Sequence, residues 1–338
     1  MEDQRAPHPT CFDRDTALRP LGEGRFGVTI SRDWWVVAGP NGGLVAALLV
    51  KAAEAAGLVK TAEAAGLVNA AEAAVLEPGG PAQRTTRSVT VHYLLPPAEG
   101  PAELVTSVER VGRAVSFVSV RLVQEGRVRA LGLVALGIAR PPGGGAELAF
   151  QHAPVPSLPP PEHCPRLVAV DPPDAEAPSP PGIRDRWDSR WAMGWLPGGE
   201  APPPHGVIEH GGWVRLAEPQ PYEPAVLAAM ADAWIPPLLT RPELGRFSVP
   251  TVELTVHILD RAALDDLAPD DWCQVRFATD TAADGFLTEE GSIWSPDGSL
   301  LAHARQLALL TPFPEGRMPP ILALEGAGWS TDEHRVVL

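Results

Sequence analysis

Two stretches of the chain, 165 residues apart, read almost alike. Ser88-Val89-Thr90-Val91-His92-Tyr93-Leu94 returns as Glu253-Leu254-Thr255-Val256-His257-Ile258-Leu259. The likeness extends further in both directions. Gly126 and the run after it match Gly298 and its run, and Gly43-Leu44-Val45-Ala46-Ala47-Leu48 lies over Ala225-Val226-Leu227-Ala228-Ala229-Met230. Such a duplication restricts the fold to two copies of one helix-plus-sheet unit joined by a single linker.

The first copy shows what the unit is. Residues 25–31 alternate apolar and polar and predict a strand. The GxGxxG at residues 22–27 has neither the preceding strand nor the following helix of a dinucleotide site, so it is a turn entering that strand. Gly39-Pro40-Asn41-Gly42-Gly43 then opens an apolar run at 44–50, with Asn41 as the helix N-cap. Strands are expected at 87–95, 102–110, 114–124 and 127–138, with a turn at Glu125-Gly126. One helix followed by four strands is an α+β pattern with an antiparallel sheet.

Residues 51–76 carry Ala-Glu-Ala-Ala three times at nine-residue spacing. Nine residues are two and a half helical turns, so successive copies face opposite sides and the stretch is an expansion without chemistry. The proline-rich 141–182 reads as a surface linker. The expected layout is an N-terminal unit at 1–140, that linker, a C-terminal unit at 183–311 and a tail at 312–338. Trp187, Trp191 and Trp195, set among Arg184, Arg186 and Arg190, predict an irregular strand.

Composition narrows the function. A net charge of −15 argues against nucleic-acid or anionic-membrane surfaces, which need a basic face. No apolar run is long enough for a membrane span, and the polar start lacks a secretory pattern, so a cytoplasmic location is expected. Cys11, Cys164 and Cys273 are odd in number and far apart, which implies neither a disulfide framework nor a cysteine zinc site. His205 and His210 fit no standard zinc spacing, and no cofactor motif is evident.

The copies differ where chemistry would lie. Residues 223–234, EPAVLAAMADAW, predict an apolar helix opened by Pro224 and stopped by Pro236-Pro237. Its one internal carboxylate, Asp232, has no cation at helical spacing. It either faces solvent or is buried with partners from elsewhere in the fold. In the first copy Val50 takes the place of Asp232 and Val134 that of Gln306. Gln306 shares a strand face with Ala302, Ala304 and Ala308, while His303 and Arg305 point the other way. The first copy alone keeps the Asn-Gly-Gly helix start. One composite site follows, with backbone donors from copy one and a base with its orienting groups from copy two.

With GPNGG, SVTVHYLLPP, RVGRAVSFVSVRLVQEGR, ADAW, PTVELTVH and EGSIWSPDGSLLAHARQLAL, the chain resembles the double-hotdog acyl-CoA thioesterases. These are the type II acyl-CoA thioesterase group and its actinobacterial thioesterase-like relatives. The resemblance covers about residues 12–140 and 183–311. It implies a tandem hotdog, each half an antiparallel sheet wrapped around a long central helix, and a role in lipid metabolism. It also implies that Asp232, Thr251 and Gln306 hold the attacking water. Glu253 stands where the type II group has Asp.

On this basis the expected activity is hydrolysis of a fatty acyl-CoA without a metal or other cofactor. Asp232 would be the base, and the Gly42 and Gly43 amides beside Asn41 would take the oxyanion, each donor worth about 3–4 kcal/mol. Arg113, in a turn, either meets a coenzyme A phosphate or is solvated. His92 and His257 are pseudo-equivalent and so are expected on the sheet surface. The alternative function is non-catalytic binding of an acyl group or pathway partner. A homo-oligomer is expected by analogy with hotdog sheets.

Overall fold

The computed structural model of the protein describes residues 8–36, 39–64, 84–138, 148–170, 182–195, 208–241, 244, 247–312, 321–326 and 335–337. The duplication is visible in strand order. The first copy contributes, side by side, Arg25–Ile30, Gly100–Val111, Val115–Gln124, Arg127–Ile138 and Arg84–Tyr93. The second continues the same sheet in reverse, with Thr251–Ile258, Leu300–Leu309, Phe286–Trp294, Cys273–Ala283, Ile208–Leu216 and Trp187–Gly194. Every pairing between them is antiparallel.

The seam falls between the two strands whose sequences repeat. Thr90 pairs with Thr255, its counterpart at the offset of 165, and their hydroxyl oxygens are 3.0 Å apart. Glu253 opposes His92, and Ser88 opposes His257, so the pairing is its own mirror about those threonines. Both histidines are exposed on the outer face of the sheet, as expected.

The first helix, Gly42–Ala64, is capped as the sequence predicts, the Asn41 Oδ1 accepting from the Leu44 amide at 3.2 Å. Residues 44–50 are buried on every side, because the helix packs on its own four-stranded face and on the helix of the other copy. Buried residues of both copies form one continuous core. The remainder of the expansion read over 51–76 lies outside the described residues. Among the described residues no helix is long and apolar enough to cross a membrane.

The second helix departs from expectation. Glu223 is its N-cap and Pro224 its first residue, but the helix ends at Met230 rather than running to Trp234. Beyond Met230 the Asp232 and Ala233 amides reach back only three residues, to Ala229 and Met230. The coil can tighten there because other elements take the carbonyls it frees. Asn41 Nδ2 donates to the Asp232 carbonyl at 2.7 Å, and Arg184 donates to that of Ala233. The linker and the tail also hold more structure than expected. Arg166–Val170 and Ile321–Glu325 are strands that pair with each other at the far edge of the sheet.

The Trp-rich stretch is the irregular strand expected, with a register shift between Trp191 and Met193. It runs very close to its neighbour. A Cβ on Gly212 would stand 1.8 Å from the Arg190 carbonyl oxygen. Gly212→Ala should therefore destabilise the fold by about 1–3 kcal/mol or more. A urea midpoint unchanged from wild type would show that the strand pair gives way instead.

Candidate active site

Asp232 is drawn into the protein by the other copy's helix. Its Oδ2 accepts from Asn41 Nδ2 at 2.8 Å and from the Gly43 amide at 3.0 Å. The carboxylate thus caps, from a distant part of the chain, the positive end of a 23-residue helix. Such proximity needs glycine. A Cβ at Gly43 would lie 2.4 Å from the Ala229 carbonyl oxygen, and one at Gly42 would lie 3.0 Å from Asp232 Oδ2. The Tyr93 hydroxyl closes this end by donating to the Gly42 carbonyl at 2.8 Å.

Burial pushes the Asp232 carboxyl up to about 6, opposed by the Gly43 and Gly42 amides, the Asn41 amide and the charge of Arg184. A carboxylate of that kind is ionised at neutral pH yet basic enough to take a proton. The amides expected at an oxyanion have another acceptor here. The helix amides assigned to an oxyanion are directed at Asp232 itself.

Thr251 and Gln306 are brought together on adjacent strands. A bulge after Thr251 shifts the register, and the Thr251 hydroxyl donates to Gln306 Oε1 at 2.9 Å. Gln306 is buried on the small apolar face predicted for it. Its Nε2 donates in turn to Glu289 Oε1 at 2.7 Å. Burial first, and then the charge of Asp232, push Glu289 up to about 8, while the Gln306 bond opposes this. The Asp232 and Gln306 groups therefore share one electrostatic environment. Glu253 lies on the same strand as Thr251, its carboxylate accepting from Thr255 at 3.3 Å.

Sequence reasoning missed Glu289, Tyr93 and Arg184. Glu289 was detectable, since Leu287, Glu289, Gly291 and Ile293 alternate onto the buried face. Arg184 and Tyr93 gave no comparable signal. Burial pulls Arg184 down to about 10, and its Nη1 has no hydrogen-bond partner among the described residues. His210 is fully buried between Trp191 and Trp234, with ring centroids at 4.8 and 6.1 Å. Burial holds it down to about 3, so it is neutral. Arg113 is exposed in its turn, and no described hydrogen bond or ion pair joins it to the Asp232 or Gln306 groups. His205 lies outside the described residues.

Asn41→Ala removes a donor that favours the charged form of Asp232. The Asp232 pKa, about 6 with that donor present, should rise. The lost cap should also cost about 1 kcal/mol of stability. A carboxyl-carbon NMR titration reads the shift, and an unchanged midpoint would show that Asn41 does not stabilise the charge.

Comparison with known proteins agrees with the division into two copies. A family model described as the acyl-CoA thioesterase N-terminal domain matches residues 31–137, and one described as the C-terminal domain matches residues 161–310. Among solved structures, a putative thioesterase II from Thermobifida fusca YX is 26% identical with a TM-score of 0.65, covering 89% of this chain and 98% of that one. A hotdog-fold protein from Alicyclobacillus acidocaldarius is 23% identical with a TM-score of 0.68, covering 90% and 99%. An acyl-CoA thioesterase II from Mycobacterium marinum is 18% identical with a TM-score of 0.59, covering 91% and 100%. At those last two identities the likeness is one of fold. No curated protein sequence matches the chain. The two domain models fall one on each copy of the duplicated unit, and the chain belongs to the acyl-CoA thioesterase family, with its tandem hotdog fold.

Proposed function

We propose that the protein hydrolyses fatty acyl-CoA thioesters, with Asp232 as the base and Thr251 and Gln306 orienting the attacking water. The observation that carries this is the state of Asp232. It is half-buried and held by donors from the opposite copy, with a pKa of about 6. A carboxylate kept only for structure gains nothing from being made more basic.

In the reaction, Asp232 takes a proton from water as the water oxygen bonds to the thioester carbon. The carbonyl electron pair moves onto oxygen, and its return expels the coenzyme A thiolate. The thiolate then takes the proton held by Asp232. One water is consumed, and a free acid and a thiol are released. Holding the water between Asp232 and a Thr251 hydroxyl fixed by Gln306 converts a bimolecular encounter into an oriented one.

The sign of the pH dependence follows from Asp232 acting in its ionised form. Activity is low below its pKa and rises with unit slope as pH passes through about 6. Free-thiol release from short, medium and long acyl-CoAs is the measurement. Asp232→Asn should lower kcat/KM by about 100-fold or more, roughly 2.7 kcal/mol in barrier, and abolish the acidic limb. A wild-type protein that binds acyl-CoA yet releases no thiol across the panel would overturn catalysis in favour of acyl binding alone.

A further inference from the structure

Glu289 is a buried acid that the mechanism above does not use. It stands directly opposite Gln306 across the antiparallel pair of strands Phe286–Trp294 and Leu300–Leu309. One oxygen accepts from Gln306 Nε2 at 2.7 Å, and the other is buried without a hydrogen-bond partner among the described groups. Leucine would fill this space without desolvating a carboxyl group. Packing therefore gives no reason to keep Glu289, and a cost in stability is characteristic of functional positions.

The direction of the hydrogen bonds supplies a reason. The Gln306 amide can lie in two ways, with its NH2 or its carbonyl toward Glu289. An acceptor oxygen on Glu289 selects the NH2, and Oε1 can remain that acceptor even when a proton sits on Oε2. The Gln306 carbonyl is then turned toward Thr251. The single hydroxyl hydrogen of Thr251 is spent on it at 2.9 Å, which leaves only lone pairs on the Thr251 oxygen. A water between Thr251 and Asp232 has to donate a hydrogen to each, and the lone pairs of its oxygen stay free of hydrogen bonds from either. With the amide reversed, Gln306 would donate to Thr251. The freed hydroxyl hydrogen could then donate to the water oxygen and make it a weaker nucleophile.

We propose that Glu289 is a positioning residue: by holding the Gln306 amide in one orientation, it makes Thr251 an acceptor toward the attacking water. This rests on the assignment of Asp232, Thr251 and Gln306 made above. Glu289 touches neither the water nor the thioester in this scheme and acts only through Gln306.

Steady-state kinetics on the full chain with a turned-over acyl-CoA tests it. Glu289→Leu should fold with an unchanged or raised Tm, lower kcat by about 30-fold or more and leave KM within about twofold. Glu289→Gln, whose amide oxygen can accept the same bond, should restore kcat to within about fivefold of wild type. In a Gln306→Ala background, Glu289→Leu should change kcat by less than about twofold, since the route through Gln306 is already cut. Should the leucine variant not fold, Glu289→Met takes its place. Wild-type kcat in the apolar variant, with Gln306→Ala still impaired, overturns this inference alone. So does an effect that adds fully in the Gln306→Ala background. Full turnover by both Asp232→Asn and Gln306→Ala would instead overturn the assignment of the site, and this inference with it.

Discussion

Much of the structure follows from one contact, the capping of the Gly42–Ala64 helix by the side chain of Asp232. A carboxylate removed from water needs donors, and a helix N-terminus is a place where backbone donors stand unpaired. Bringing the two together requires the helices to approach until Gly43 lies against the Ala229 carbonyl, which only a residue without a side chain allows. It also requires the second helix to stop early, so that the chain can turn Asp232 outward from its own axis. The shortened helix and the Asn-Gly-Gly start are thus two halves of one fitting.

The half-buried Asp232 and the buried Glu289 show how similar groups are driven apart by their surroundings. Asp232 has two direct donors and a nearby guanidinium to set against burial, and its pKa settles at about 6. Glu289 has one donor and the repulsion of Asp232, and reaches about 8.

The sequence made the duplication legible because the paired central strands repeat nearly residue for residue. It also pointed to Asp232 and Gln306, since each is polar where the other copy has valine, and a change of polarity between equivalent positions survives without any knowledge of contacts. The end of the second helix was less legible. Alanines continue through residue 233, so local propensity favours continuing the helix. Pro236 and Pro237 cannot donate to the Asp232 and Ala233 carbonyls, and the tertiary donors Asn41 and Arg184 that replace them set where it ends. The same limit affected Gly42 and Gly43. Their sequence says that amides are exposed at a helix start, but which acceptor arrives there depends on a residue 189 positions away. The strand within the linker was hidden because its partner lies in the tail.

The Thr90–Thr255 seam has the geometry of an interface between identical subunits, in which each residue meets its own counterpart across a two-fold axis. Two separate identical chains meeting in this way would carry every substitution twice, so a buried carboxylate introduced in one would be buried in both. Joining the copies in a single chain removes that obligation. Here Asp232 is matched by Val50 and Gln306 by Val134, so this carboxylate and this amide stand on one side of the seam only. The opposite side is left free to supply the donors, Asn41 and the Gly43 amide, rather than a second carboxylate.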